Sequence, residues 1–396
     1  MDRKILHIDV NNAFLSWLAV YKLKCGETLD IRDIPAIIGG DEEARKGVVL
    51  AKSMKAKEFG IVTGEPIFRA KKKCPQVQVF QGNFDIYREY SNKLYKLLLE
   101  YTDKIERFSI DECFLDMTEY LMKDTLENKA KEIHKRVKQE LGFTVNIGIS
   151  NNKLLAKMAS DFEKPDKIHT LYTSEIQTKM WNLPVSELFM LGKKSVPKLY
   201  KMGIKTIGDL AKKDRQLLIK TFGKHGNMMW EYANGIDNSE VNYKYEKPKC
   251  IGNSITLPMD ICNIEKLEKV LLGLTEQVTY RLRKSNLVAN SVNVQLRTKD
   301  FIDTSHQGKL DIATSSTQQI YSKAKILLRE MYKEGTFIRL VGVRVDKLED
   351  KEERQLSLFE NKDKEKLDKI DRVMDNLKEK YGYNSITFAG RIEKKE

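Results

Sequence analysis

The chain has 396 residues, 41% of them hydrophobic, which is more than one core usually organises, so about two to four domains are expected. The formal net charge of +13 predicts a polyanionic partner. No apolar run approaches the roughly 20 residues that span a bilayer, and the charged N-terminus leads directly into a strand-like segment, so we expect a cytoplasmic protein with no membrane partner. The five cysteines form no C-x-x-C pair, which favours free thiols over disulfides or structural zinc.

The first part of the chain predicts alternating short strands and helices. In chain order there are a strand at 5–10, a helical stretch, an apolar run at 47–51, helices at 52–59 and 87–101, strands at 105–108 and 113–117, a helix at 126–141, a strand at 144–149 and a helix at 153–161. Strand, helix, two strands, helix and strand is the order of a ferredoxin-like unit.

Three acidic residues stand out in this part of the chain. Asp9 interrupts the apolar run 5–10, where an unpaired buried carboxylate would cost several kcal/mol unless it binds a metal or a hydrogen-bond donor. Asp111 and Glu112 lie at the junction of two predicted strands. Adjacent acidic residues are common on solvated surfaces. Together with Asp9, however, they favour a two-metal site, because Mg²⁺ prefers oxygen ligands and two such ions can assist phosphoryl transfer.

The segment 183–235 predicts short helices separated by glycine turns, and it is strongly basic. Between residues 190 and 225 there are ten Lys or Arg residues and two Asp residues. The stretch 191–204 is similar to a helix-hairpin-helix, which binds duplex phosphates through glycine amides and helix N-termini. Its candidate DNA contacts are Gly192, Lys193, Lys194 and Gly203. An ordinary pair of basic helices is the alternative interpretation.

The polar segment 238–249 predicts a linker, and a second mixed α/β unit follows it. Its predicted strands are 254–257, 291–297 and 338–345, and its predicted helices are 264–283 and 317–332. In the strand 291–297, Asn293, Gln295 and Arg297 alternate with apolar residues and should point to one face. That face suits either DNA or solvent.

The last segment, 349–396, is nearly neutral, with 12 Lys or Arg against 13 Asp or Glu, so we do not expect it to bind DNA. Within it, Gln355-Leu356-Ser357-Leu358-Phe359 is typical of a short peptide that docks into a partner's groove. An apolar stripe at helical spacing follows between residues 367 and 381. This helix either folds back on the body of the protein or recruits an accessory protein.

The motif Ser109-Ile110-Asp111-Glu112, with Asp9 about a hundred residues upstream and the helix-hairpin-helix downstream, resembles the Y-family translesion DNA polymerases. This ImpB/MucB/SamB family includes the bacterial polymerase IV and polymerase V group, and the resemblance covers nearly the whole chain. It implies a multi-domain α+β right hand. The implied parts are a ferredoxin-like palm at 1–10 and 79–165, small fingers at 11–78, a helical thumb at 166–237, a linker at 238–248, an α/β little finger at 249–348 and a tail at 349–396. The tail is similar in length to that of the polymerase V branch and its Gram-positive relatives.

The resemblance also implies roles for single residues. Two Mg²⁺ ions would be held by Asp9, Asp111, Glu112 and the main-chain carbonyl of Val10. The nucleotide would be contacted by Phe14, Ser53, Lys57 and Lys164. Phe14 would act as a steric gate against ribonucleotides, with a core aromatic as the alternative. The chain departs from the family pattern at Met54, where many relatives carry a phosphate-binding tyrosine, and at Lys57, which replaces a bidentate arginine.

The remaining implied contacts lie in the C-terminal part. Arg297, Arg339 and Arg344 match positions that face the DNA backbone. Gln355, Leu356, Leu358 and Phe359 match the bacterial sliding-clamp-binding peptide. The implied activity is low-fidelity, template-directed synthesis across damaged DNA from deoxynucleoside triphosphates, without proofreading, in the SOS response. The alternatives are a non-catalytic clamp-tethered DNA-binding protein of the same fold and, less favoured by the basic thumb, a nucleotide cyclase.

Overall fold

The computed structural model describes residues 3–40, 47–121, 124–244, 246–351 and 362–389, and it divides the chain into two compact units between residues 245 and 246. This division falls inside the predicted linker. The first unit contains, in chain order, β1 (Ile5–Val10), α1 (Ala13–Lys24), β2 (Ala36–Gly39), β3 (Val49–Lys52), α2 (Met54–Glu58), α3 (Ile67–Lys73), β4 (Gln78–Gln81), α4 (Phe84–Leu98), β5 (Ile105–Arg107), β6 (Glu112–Asp116), α5 (Leu126–Arg136), β7 (Val145–Ser150), α6 (Lys153–Asp161), β8 (Ile168–Thr170), α7 (Val196–Lys201), α8 (Ile207–Ala211), α9 (Arg215–Phe222) and α10 (Lys224–Ala233).

A five-stranded sheet in the order β5-β6-β1-β7-β8 forms the centre of the first unit. β1 is antiparallel to both β6 and β7 and is buried along its whole length, as expected of an apolar strand in the middle of a sheet. The ferredoxin-like order is therefore confirmed. The structure adds β8, which pairs parallel with β7 and was not predicted. The predicted helix at 126–141 ends earlier, because a π-helical turn at Val137–Leu141 follows α5.

A smaller sheet in the order β3-β2-β4 lies between β1 and α4 in sequence. β4 pairs with β2, so this sheet extends to Gln81, beyond the predicted fingers boundary at residue 78. α2 begins at Ser53, whose side-chain hydroxyl accepts a hydrogen bond from the Ala56 N–H at 3.0 Å. This cap satisfies a backbone donor that the helix cannot satisfy itself.

In the basic segment, α7 and α8 are joined by a turn in which Gly203 has a φ of 78°. A left-handed residue at this place lets the chain leave α7 sharply, and glycine adopts it without steric penalty. α8 then begins with a capping box between Thr206 and Asp209. The stretch 191–204 thus contains α7 and the turn that follows it, α8 lies just beyond it, and the helix-hairpin-helix stays a prediction beside an ordinary pair of basic helices.

The second unit contains β9 (Cys250–Ile261), α11 (Ile264–Lys284), β10 (Leu287–Thr298), β11 (Asp303–Thr314), α12 (Thr317–Met331), β12 (Ile338–Asp350) and α13 (Lys362–Tyr381). Its antiparallel sheet has the order β11-β10-β12-β9, with α11 and α12 contributing to one hydrophobic core. In β10 the residues Val292, Val294 and Leu296 are buried, as predicted from the alternation. β11 was not predicted, because most of its residues are polar and exposed at the edge of the sheet.

The tail helix α13 packs back onto the second unit. Arg283 on α11 donates two hydrogen bonds to the Asp375 carboxylate, at 2.6 and 2.8 Å. Lys378 lies 3.5 Å from Glu276 of α11, and both side chains are almost fully buried. The structure therefore shows this helix folded back on the second unit, and recruitment of an accessory protein by the tail stays a prediction.

None of the helices in the described part of the chain is long and apolar enough to cross a membrane.

Candidate active site

The three predicted acidic residues meet at one end of the central sheet. β1 and β6 pair so that Asp9 lies opposite Glu112. The next residue of β1, Val10, donates its N–H to the Asp111 carbonyl oxygen at 3.1 Å. Antiparallel pairing therefore brings together residues that are about a hundred positions apart in the chain.

Asp9 is 7% exposed and is held by two lysines. Its Oδ2 accepts hydrogen bonds from Lys164 Nζ at 2.8 Å and from Lys157 Nζ at 3.2 Å. Burial would raise the pKa of Asp9, but the positive charges of Lys164 and Lys157 outweigh burial and lower it. Asp9 is therefore a carboxylate at neutral pH.

Glu112 and Asp111 lie in different surroundings from Asp9. Glu112 Oε1 accepts a hydrogen bond from Lys157 Nζ at 2.7 Å. Burial raises the pKa of Glu112, and the charge of Asp9 adds to this effect, while Lys157 partly offsets it. The more open Asp111 carboxylate accepts a hydrogen bond from the Ser109 hydroxyl at 2.6 Å.

These carboxylates border a cavity of about 420 Å³ that also receives side chains from the small sheet and α2. Four of the predicted nucleotide and metal residues line it besides the acids, namely Val10, Phe14, Lys57 and Lys164. The ring of Phe14 stacks on that of Tyr87, with the centroids 4.5 Å apart and the planes 16° from parallel. Phe14 is thus both packed on one face and exposed to the cavity.

Ser53 does not line this cavity, so the structure does not support it as a direct nucleotide contact. Its side chain is buried, its hydroxyl donates to the Ile34 carbonyl at 2.7 Å, and the same oxygen accepts from the N–H groups of Ala56 and Ala36. These three backbone groups use the hydrogen-bonding capacity of the Ser53 hydroxyl, and its bond to Ala56 fixes the start of α2. It supports the site by placing Met54 and Lys57.

A buried amide network, not predicted from the sequence, holds the loop that carries Lys164. Asn11 Oδ1 accepts from the Asp166 N–H at 2.9 Å, and Asn11 Nδ2 donates to Asn146 Oδ1 at 3.0 Å. Asn146 Nδ2 in turn donates to the Glu163 carbonyl at 2.7 Å. The loop at 163–166 is therefore tied to β1 and β7 next to Asp9.

Two lysines were also missed by the sequence reasoning. Lys52 lines the cavity, and burial together with the charge of Lys57 lowers its pKa. Lys157 lies on α6, and although burial alone would lower its pKa, Asp9, Asp161 and Glu112 raise it. Lys157 interrupts the apolar run 154–159 just as Asp9 interrupts 5–10, so the same signal was present in the sequence.

The donors suit a hard cation, because the acidic groups and the Val10 carbonyl all offer oxygen. In the described part of the chain, however, no group of three or more His, Cys, Asp or Glu residues is arranged to hold a metal ion. The ammonium group of Lys157 contacts both Asp9 and Glu112. The donor set therefore fits Mg²⁺ in kind, and the number and identity of ions stay predictions.

The predicted DNA contacts fall into two groups. Gly192, Lys193 and Lys194 are exposed in the turn before α7, and Gly203 follows α7. In the second unit, Arg297 forms a bidentate pair with Asp303, at 2.8 and 2.9 Å, and Arg344 lies 2.9 Å from Asp346. The guanidinium of Arg339 lies 4.9 Å from the centre of the Phe301 ring. The predicted clamp-binding residues Gln355, Leu356, Leu358 and Phe359 lie outside the described residues.

Comparisons with known proteins agree with this geometry. The model of the impB/mucB/samB family matches residues 8–161, and the model of that family's C-terminal domain matches residues 248–358. The protein named DNA polymerase IV of Clostridium acetobutylicum is 50% identical over 396 residues, covering 100% of both chains. The DNA polymerase IV of Acetivibrio thermocellus is 37% identical and covers 98% of this chain and 96% of its own length.

These alignments include the tail, which is therefore shared with proteins named DNA polymerase IV and is not a mark of the polymerase V branch. A solved structure titled "Y-family DNA polymerase chimera Dbh-Dpo4(243-245)-Dbh" matches with a TM-score of 0.76 at 24% identity, covering 88% of this chain and 99% of that one. At this identity the match supports the right-hand fold. The chain therefore belongs to the impB/mucB/samB family of Y-family DNA polymerases and is a translesion DNA polymerase of the polymerase IV type.

Proposed function

We propose that this polymerase extends a primer across damaged template by two-metal nucleotidyl transfer at Asp9, Asp111 and Glu112, with low fidelity and no proofreading. The observation that carries the proposal is the pairing of Asp9 with Glu112, next to Asp111, at the edge of a cavity lined with cationic side chains. Carboxylates and cations that line one cavity suit a reaction between a hydroxyl and a nucleoside triphosphate.

In the proposed reaction the primer 3′ hydroxyl attacks the α-phosphorus of the incoming nucleotide. The hydroxyl loses its proton to solvent, a new P–O bond forms, the bond to the bridging oxygen of the leaving group breaks, and pyrophosphate is released. Bound Mg²⁺ would be held by Asp9, Asp111, Glu112 and the Val10 carbonyl and would stabilise charge on the attacking and leaving oxygens.

The other residues of the cavity bind and orient the nucleotide. Lys57 and Lys52 bring positive charge to the side of the cavity formed by α2 and β3, where a triphosphate would be neutralised. Lys164 shares this task after exchanging one of its two carboxylate partners, Asp9 or Asp161, for a phosphate. Phe14 offers its ring to the sugar.

The proposed partners are primer–template DNA and deoxynucleoside triphosphates. DNA would be contacted by the turn around α7 and by the open face of the second sheet. Binding to the sliding clamp through residues 355–359, recruitment of an accessory protein by the tail, and a cytoplasmic location remain predictions.

The test is extension of a primed template with each of the four deoxynucleotides in Mg²⁺, comparing wild type with Asp111→Ala/Glu112→Ala. Glu119→Ala is a matched control, because Glu119 is an exposed carboxylate of the same unit that pairs with Lys104. We expect extension by wild type and by the control and none by the double variant, with DNA binding retained by all three. Normal extension by the double variant would refute the proposed site. No extension by wild type that still binds DNA would support the non-catalytic alternative.

A further inference from the structure

Lys157 is a buried lysine at the centre of the acidic cluster. It projects from α6, and its side chain is 9% exposed. Its Nζ lies 2.7 Å from Glu112 Oε1, 3.2 Å from Asp9 Oδ2 and 3.3 Å from Asp161 Oδ2. One ammonium group therefore joins β1, β6 and α6.

This arrangement is more than a way of filling space in the core. A buried ammonium group is expensive unless its charge is compensated, and a methionine would fill a similar volume at no electrostatic cost. Asp9 and Glu112 lie opposite each other across β1 and β6, and Lys157, which projects from α6, contacts both carboxylates. A single positive charge thus occupies a position between oxygens that are proposed to bind a divalent cation.

We propose that Lys157 is a positioning residue that serves as an internal counter-cation: it holds Asp9 and Glu112 together when no divalent ion is bound and releases Glu112 when an ion binds. The inference rests on the proposed metal site. Its physical consequence is competition, because the ammonium group and the metal ion repel each other and share the same oxygen ligands. Lys157 therefore stabilises the acidic cluster in the absence of metal, and it lowers the affinity of the cluster for the metal ion.

The experiment measures Mn²⁺ binding to the full chain by electron paramagnetic resonance, without DNA or nucleotide. Lys157→Met removes the charge and keeps the volume, and we expect it to bind Mn²⁺ about tenfold more tightly than wild type. Lys157→Arg keeps the charge and should stay within about twofold of wild type. Lys153→Met is the matched control, because Lys153 is one turn away on α6 and pairs with Glu106 at 2.6 Å, outside the acidic cluster.

Thermal unfolding provides a second measurement that does not depend on activity. In EDTA, Lys157→Met should melt below wild type, since Glu112 then loses its lysine partner and only Lys164 remains to offset the charge of Asp9. Mn²⁺ should raise the melting temperature of this variant more than that of wild type. Lys157→Gln, which keeps a hydrogen-bond donor near Glu112, is measured in parallel in case the methionine variant does not fold in EDTA.

The outcomes separate this inference from the proposed function. Unchanged or weaker Mn²⁺ binding by both neutral variants would overturn the role of Lys157, provided that wild type binds Mn²⁺ and Glu112→Gln weakens that binding. Wild type that binds no Mn²⁺, or binds it regardless of Glu112→Gln, would instead refute the metal site itself.

Discussion

At the scale of single residues, the proposed role of Phe14 in excluding ribonucleotides depends on how its ring is packed. Its ring stacks on that of Tyr87 and meets that of Phe84 edge-on, with the centroids 5.9 Å apart, while it still borders the cavity. We infer that stacking on the buried ring of Tyr87 holds Phe14 in place against a sugar that carries an extra hydroxyl.

We therefore expect Phe14→Ala to raise the efficiency of ribonucleotide insertion relative to deoxynucleotide insertion by about tenfold or more. Single-nucleotide insertion kinetics with matched ribo- and deoxynucleotides measure this ratio. Phe68→Ala is the control, because Phe68 is an exposed aromatic residue of the same unit that does not line the cavity, and its ratio should stay near that of wild type. An unchanged ratio in Phe14→Ala would make Phe14 a core aromatic.

At the scale of elements, the buried carboxylate of Glu268 pairs with two more exposed cations and so joins the helices α11 and α12 of the second unit. Glu268 of α11 accepts a hydrogen bond from Arg329 Nε of α12 at 2.6 Å and lies 2.9 Å from Lys325 Nζ. Burial alone would raise the pKa of Glu268, but Arg329 and Lys325 outweigh it, so the pKa is lowered. The folded state therefore favours the charged form of this carboxylate.

A group whose pKa is lower in the folded state stabilises the fold above its unfolded pKa, which is about 4.3 for Glu. That stabilisation is lost as the pH falls through the lower, folded pKa. Glu268→Gln should thus reduce the free energy of unfolding by about 1–3 kcal/mol at pH 7, and the difference from wild type should shrink below about pH 4. Denaturant titrations across this pH range measure the free energy of unfolding, with the exposed Glu265→Gln as control. If the pairs contribute nothing, the difference between wild type and Glu268→Gln will not change with pH.

The tail helix α13 depends on a second set of pairs. Besides its bonds to Asp375, Arg283 lies 3.5 Å from Asp371, and Asp371 Oδ2 accepts the N–H of Thr317 at 3.0 Å. The side chain of Ser316, which precedes α12, accepts no hydrogen bond from the first turn of that helix, and Asp371 of α13 supplies this N-terminal cap instead. The tail thus stabilises the element on which it packs.

Arg283→Met should release α13, because removing one partner leaves buried carboxylates without compensation, at a cost of about 3 kcal/mol. Amide hydrogen exchange should accelerate in α13 and in the first turn of α12. Lys266→Met, an exposed position in the first turn of α11, should leave exchange unchanged. Equal protection of α13 in both variants would contradict the role assigned to these pairs.

At the scale of the whole molecule, the net charge of +13 is distributed unevenly, with an excess in the segment around α7 to α10 and near neutrality in the tail. DNA affinity should therefore fall steeply with salt. A protein that contacts about six to ten phosphates loses about 10³- to 10⁵-fold in affinity between 50 and 200 mM salt.

The double variant Lys193→Ala/Lys194→Ala should weaken binding to all DNA sequences alike. It should also reduce the slope of the logarithm of the DNA association constant against the logarithm of the salt concentration by about two units. Fluorescence anisotropy at several salt concentrations measures the slope. Lys369→Ala/Lys380→Ala removes two exposed lysines from α13, where the local charge is nearly balanced, and should leave the slope unchanged. Equal slopes in the two double variants would show that the turn before α7 does not contact phosphates.

The residues of the site differed in how readily the sequence revealed them. Asp9 could be found because a carboxylate in an apolar strand needs a partner, and Asp111 and Glu112 because they form a compact motif. Lys157 carried the same signal as Asp9 but was missed, since a lysine in a helix is usually explained by solvent. The family resemblance implied that Ser53 contacts the nucleotide, and only the structure shows that its hydroxyl caps α2.

The amino-acid sequence by itself determined most helices and strands, the ferredoxin-like order and the family, because these follow from local periodicity and from short motifs. Only the tertiary structure decided that Lys157 bridges Asp9 and Glu112, that Asn11 and Asn146 hold the loop of Lys164, and that α13 packs on α11. β11 belongs to the same group, since pairing with β10 and not an apolar pattern makes it a strand. These contacts join residues far apart in the chain, and they form only once strand register and helix packing bring the partners within hydrogen-bonding distance.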